Sequence, residues 1–300
     1  MNEFANRLIA GATASPSMEY SGACDSVAVN VPPMAEHNPL NLFDRPAVRR
    51  FRERAARRWG EADFLANEVA ERLADRLDDV MRKFPLALDL GGRGGVLART
   101  LNGRGGIERL IEMDPAFGFR PAVVGEAEML PFAPASFDLI LSVLDLHHVN
   151  DLPGALLQLR QVLKPEGLLL AALFAGETLT ELRRAWMEAE LVEQGGAGSH
   201  VSPFADARDL AGLLQRAGFA EPIVDSDTIE VSYDNAFKLM RDLRAMGESY
   251  AATERNRAFT RRATAMRVVE IFGASAGPDG RVAVRFDIAT LTAWAPSKSR

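Results

Sequence analysis

The chain has 300 residues, 47% of them hydrophobic, and a formal net charge of −6. That length and apolar content suit one large domain with a real core, and the acidic balance excludes a global basic field for nucleic acid or acidic lipid. A single cysteine, Cys24, excludes an internal disulfide framework and a cysteine-based metal cluster and suits a reducing compartment, so a cytoplasmic protein is expected.

Residues 1–36 are rich in Ala, Ser, Gly and Pro, lack periodicity and read as a disordered tail. Arg7-Leu8-Ile9-Ala10 is too short and too poor in positive charge for a secretory signal, and Met34 is an alternative start. No apolar run approaches the roughly 18–20 residues of a membrane span. Residues 37–300 read as the folded domain. Arg45 to Trp59 and Phe64 to Met81 read as helices. The first carries seven arginines against one acid, Glu53, and reads as a solvated charged face anchored by Phe51 and Trp59; the rival reading is a docking helix for an acidic partner.

Strand one, Leu86-Ala87-Leu88, meets Asp89 and a turn holding Gly91, Gly92, Gly94 and Gly95, followed by helical Val96 to Leu101. This is how a doubly wound α/β domain writes its first strand, ligand-binding turn and first helix. Ile107 to Asp114 reads as strand two, closing on an acid. Pro121 to Val124, Phe137 to Ser142 and Leu168 to Phe174 read as further strands. Helices follow at Leu179 to Val192 and Asp206 to Ala217, then extended chain at Glu221 to Tyr233. Two helices, Asp234 to Met246 and Thr253 to Phe272, form an insertion of about residues 234–276 before the final strand, Val282 to Trp294. This insertion is expected to cover the cleft and gate the substrate without building the cofactor site. Leu239, Met240, Leu243 and Met246 share one helix face and read as core.

A dinucleotide needs G-x-G-x-x-G, but Leu97 stands where the third glycine belongs. S-adenosylmethionine sites use an acid on strand one, a G-x-G-x-G turn and a second acid after strand two. Asp89 to Gly95 fits that pattern apart from Arg93 at the middle glycine. Asp89, Gly91, Gly92 and Gly95 are then the turn's cofactor-binding residues. Asp114 takes the ribose hydroxyls, with Glu112 as fallback, and Glu126 and Ala127 take the adenine. An ordinary tight β–α turn is the plain alternative.

The turn, LPFAPASFDLILS, LHHVNDLP and VLKPEGLL together resemble class I S-adenosylmethionine-dependent methyltransferases, of the branch containing the malonyl-carrier-protein methyltransferases. Asn41 to Arg45, Phe84 to Gly91, Phe174 to Arg183, His200 to Phe204 and Met246 to Ser249 are similar to the mitochondrial complex I assembly factor 5 family and its bacterial relatives. The resemblance covers roughly residues 40 to 295. It implies an α/β, doubly wound, Rossmann-like sheet with a helical insertion before the last strand. It also implies S-adenosylmethionine as cofactor and a role in respiratory complex assembly, with a complex I subunit as protein substrate. The mitochondrial member is associated with arginine hydroxylation. Two departures stand out. Arg93 replaces the middle glycine, unless Gly92-Arg93-Gly94 matches the family's Gly-Arg-Gly one residue early. His148 stands where the family usually has tryptophan.

Methyl transfer from a sulfonium is an in-line displacement that needs positioning first, and a base only when the nucleophile carries a proton. His147, just past strand four, is the candidate catalytic residue; its bland reading is a packing histidine. His147, Asp145 and His200 could form a 2-His-1-carboxylate metal set only if the fold brought them together, and no metal is assigned. The expected function is an S-adenosylmethionine-dependent methyltransferase-fold enzyme acting on a protein or small molecule. The alternatives are a protein-arginine hydroxylase and a non-catalytic assembly protein in which Arg93 plugs the site.

Overall fold

The computed structural model describes residues 41–297, so the expected disordered tail lies outside the described residues. Seven strands form one sheet: β1 (Leu86–Leu90), β2 (Arg109–Asp114), β3 (Val123–Val124), β4 (Phe137–Val143), β5 (Leu163–Phe174), β6 (Ala220–Tyr233) and β7 (Val282–Trp294). Their spatial order is β3-β2-β1-β4-β5-β7-β6. The first five run parallel, and β7 enters antiparallel between β5 and β6. The order reverses between β1 and β4, the switch point where open α/β sheets hold ligands beyond their carboxyl ends.

The helices are α1 (Arg45–Ala56), α2 (Phe64–Asp78), α3 (Val96–Leu101), α4 (Leu152–Val162), α5 (Thr180–Gln194), α6 (Ala207–Arg216), α7 (Ala236–Met246) and α8 (Arg262–Gly273). Central strands are apolar on both faces because helices cover both. Ala87, Leu139 and Leu141 point into a core with α2, α3, α5, α7 and α8; Leu88, Leu90 and Ile140 point into a second core with α4 and α6. The side chains alternate because successive residues of a strand face opposite ways. On α2, Leu65, Val69, Leu73 and Leu77 recur every fourth residue and are buried, as a helix stripe facing a core must be. Arg72 and Arg76 on the same helix reach Asp227 and Asp225 of β6, which keeps this edge strand charged.

Three expected helices are shorter than the sequence suggests, the second of them ending at Asp78 and not Met81. The first ends at Ala56, with Trp59 in a separate 3₁₀ turn. The last begins at Arg262, not Thr253. Residues 253–261 are diverted by long-range bonds: Thr253 N–H donates to Leu42 O at 2.8 Å, and Arg255 pairs with Asp44 at 2.8 Å. The same Asp44 caps α1 by accepting from Ala47 N–H at 2.9 Å. The start of the described chain and the middle of the insertion, between α7 and α8, are thus tied together.

Candidate functional site

The turn after β1 is held close to its neighbours by backbone geometry. Gly91 has φ +79°, and a Cβ there would stand 2.6 Å from the Asp145 side chain, so only glycine lets the turn approach the end of β4. Gly91 and Gly92 N–H groups both donate to Met113 O, at 2.8 and 3.2 Å, tying the turn to β2. Gly95 precedes α3 in the left-handed region. Arg93 is also left-handed, with φ +39°; a side chain there costs roughly 1–3 kcal/mol unless surrounding contacts hold it.

Those contacts are present. The Arg93 side chain turns inward and is buried. Its guanidinium donates to Leu144 O and to Met246 O (3.4 Å), pairs with Glu248 Oε1 at 2.7 Å and lies over the Trp59 ring. Arg52 of α1 is buried beside it. It pairs with Asp114 Oδ2 at 3.0 Å and with Asp145. Asp114 also accepts from Ala116 N–H at 2.7 Å. The expectation of a solvated α1 face is therefore corrected at Arg52. A helix beside an acidic cleft buries whichever arginine faces it, because two carboxylates there need a counter-charge.

The carboxylates divide by environment. Burial pushes Asp89 well above the ordinary range, and Glu112 and Asp114 nearby push it further. Asp114 is also raised by burial, against the pull of Arg52. Burial opposes ionisation of Asp145, but Arg52 and Arg93 outweigh it and hold the group below its usual value. Glu248 is likewise desolvated, yet His147, Arg93 and His148 drive it well below the carboxylate range. Asp89 Oδ2 is buried with no hydrogen-bond partner among the described residues. A carboxyl oxygen left unpaired in that way costs stability, which a hydroxyl or ammonium donor would recover.

Glu126 and Ala127 lie beyond β3. Ala127 is buried, and Glu126 Oε2 accepts from Arg45 Nε at 2.9 Å. His147 sits in the 3₁₀ turn Leu146–His148 after β4, with Nε2 2.8 Å from Glu248 Oε2. His200 is elsewhere, stacked on Trp186 with centroids 3.9 Å apart and 2.7 Å from Glu190. His147, Asp145 and His200 therefore form no common set, since Asp145 is paired with Arg52.

Next to the charged cleft lies a cavity of about 550 Å³ under the insertion. Phe174, Leu182, Trp186, Phe204, Met240 and Leu243 form much of its wall, and His148 and Glu248 stand at its border with the cleft. The face of α7 read as core is divided: Leu239 is fully buried, while Met240 and Leu243 reach the cavity wall. Met246 O and Glu248, both at the end of α7, touch Arg93. The insertion thus covers the glycine turn as well as the cavity, contrary to the expected separation. Sequence reasoning missed Arg52 and Glu248 altogether. Asp89, Gly91, Gly92, Gly95 and Asp114 gather at the carboxyl ends of β1 and β2, with Glu126 and Ala127 beyond β3 and His147 just after β4.

A family model described as a methyltransferase domain matches residues 88–171. The chain is 39% identical to mouse arginine-hydroxylase NDUFAF5, mitochondrial, over 91% of this chain and 84% of that protein. It is 34% identical to malonyl-[acyl-carrier protein] O-methyltransferase of Methylovorus sp. (strain MP688), over 85% of this chain and 90% of that protein. The crystal structure of the YcgJ protein from Bacillus subtilis superposes with a TM-score of 0.52 at 13% identity, covering 76% of this chain and 98% of that one, a likeness of fold. The expected cytoplasmic location is overturned: the NDUFAF5 relatives of mouse, rat and human are named as mitochondrial proteins.

Proposed function

The chain belongs to the class I S-adenosylmethionine-dependent methyltransferase superfamily, close to the NDUFAF5 proteins, and from that premise we propose that its charged cleft holds S-adenosylmethionine beside a substrate cavity. The unpartnered, buried Oδ2 of Asp89 carries this reading. It is an acceptor in need of a donor, at the carboxyl end of β1 beside the glycine turn. The residues present fit the cofactor on that observation.

Asp89 and the backbone of Gly91, Gly92 and Gly95 would shape the amino-acid end of the site. Asp114 would take the ribose hydroxyls, and Glu126 and Ala127 the adenine. Bound there, the cofactor supplies an electrophilic methyl group. Arg52 keeps Asp114 and Asp145 paired and limits the repulsion among three neighbouring acids. Glu248 orients His147 through the 2.8 Å contact at its Nε2. The Nδ1 of His147, buried with no partner among the described residues, would be the atom that holds the substrate's proton. The apolar walls exclude water from the cavity.

The substrate would be a protein or small molecule linked to respiratory complex I assembly. The NDUFAF5 relatives are named arginine hydroxylases, which favours hydroxylation of a protein arginine as the second reading. Calorimetric titration with S-adenosylmethionine tests the site: the natural chain binds, and Asp114→Ala binds at least about tenfold more weakly, roughly 1.4 kcal/mol, with its fold intact. Undiminished affinity in that variant sinks the assignment of Asp114. Mass spectrometry of a modified substrate separates the two reactions, as a gain of one methylene or of one oxygen.

A further inference from the structure

His147 Nε2 and His148 Nδ1 both face one oxygen of Glu248, Oε2, at 2.8 and 3.6 Å. A single hydrogen bond satisfies the first pair, while the second is too long to be one. One ligand atom from each of the three side chains lies within 4.8 Å of the other two. Two atoms each about 2.1 Å from one ion, and about 90–109° apart around it, are separated by about 3.0–3.4 Å. The two measured distances straddle that value.

The surroundings suit an ion. Arg93 binds the other carboxylate oxygen, Oε1, at 2.7 Å and so fixes the direction of Oε2, as an outer partner orients a ligating carboxylate. His148 and Glu248 both border the apolar cavity, so an ion between them would turn its remaining positions toward that space. The site is empty.

We propose that His147, His148 and Glu248 form a binding site for a first-row divalent transition cation, with open coordination positions facing the cavity. Two imidazoles and one carboxylate are the donor set that leaves such positions vacant. The inference rests on these three side chains and not on the cofactor reading.

The test is titration of the metal-free, full-length protein with Co²⁺, followed by its visible absorption and by metal analysis after desalting. One Co²⁺ per chain with a ligand-field band is expected. Glu248→Gln and His148→Trp, each shown to be folded by circular dichroism, should bind at least about tenfold more weakly, in the range for disturbed metal sites. His200→Gln, across the cavity, should retain binding. A folded natural chain that takes up no Co²⁺, or folded Glu248→Gln and His148→Trp proteins that bind it unchanged, would overturn the proposal. So would loss of binding in His200→Gln alone. S-adenosylmethionine titration of the metal-free chain reads the cofactor site separately.

Discussion

Two regions of this molecule meet at His148 and Glu248 and are built on opposite principles. The cleft above β1, β2 and β4 is filled with charge: Arg52 and Arg93 stand against Asp114, Asp145 and Glu248, all of them buried or nearly so. The cavity beneath the insertion is lined by rings and aliphatic chains and is open space. Charges in the first must be matched one by one, since a buried ion without its partner is costly. The walls of the second need only volume and apolarity. Removing one partner of an ion pair in the first should therefore cost stability abruptly, while the cavity should trade size for stability gradually.

The largest expected effect tests the first half of that contrast. Arg52→Met leaves Asp114 and Asp145 without their shared cation and should lower stability by about 3–5 kcal/mol. Urea denaturation measures it, and a loss below about 1 kcal/mol would show that the pairing is dispensable. Leu182→Ala in the cavity wall should cost about 2–5 kcal/mol, near the lower bound because the wall already borders empty space. Affinity for S-adenosylmethionine should stay unchanged in that variant; a parallel loss of cofactor binding would mean that the two regions are not separate.

A smaller effect follows from Asp89, whose folded pKa is raised by burial and by Glu112 and Asp114. The folded chain then holds this proton more tightly than the unfolded one. Its contribution is complete below the unfolded value near 3.8 and fades as pH rises through the folded pKa, at up to about 1.4 kcal/mol per pH unit. Asp89→Asn lacks this loss. Without ligand, its thermal midpoint at neutral pH should exceed that of the natural chain, while its cofactor binding weakens. Equal midpoints across the pH range would refute a strained carboxyl at this position. The smallest effect concerns Arg93→Gly. Glycine relieves the left-handed backbone but forfeits the bonds to Leu144, Met246 and Glu248. S-adenosylmethionine affinity should change by less than about tenfold, or roughly 1.4 kcal/mol. A natural chain that fails to bind, rescued by this change, would identify Arg93 as a plug.

The glycine turn and the acids of β1 and β2 were legible because their meaning is local: the strand, turn and acid lie within about thirty residues of one another. The order of strands and the insertion were legible for the same reason, each element carrying its own periodicity. Arg52 was not. In sequence it looks like the six other arginines around it, and what distinguishes it is contact with Asp114 and Asp145, 62 and 93 positions away. Glu248 is a lone acid after a helix until the fold sets it 155 positions back against Arg93. The missed start of α8 has the same origin, since a bond from Thr253 to Leu42 overrode the helical pattern. His147 and His148 are neighbours in any reading, but only the fold supplies the carboxylate between them.

Gly247, at the end of α7, is left-handed with φ +84°, and a Cβ there would come within 3.3 Å of Ala55 on α1. The insertion therefore rests directly on the helix that carries Arg52, and Arg54 binds Ser249 at 2.9 Å across the same seam. Elements nearly two hundred residues apart are thereby fitted to each other at a point with no space for a side chain, so Gly247→Ala should disturb the seat of α1 as well as the end of α7.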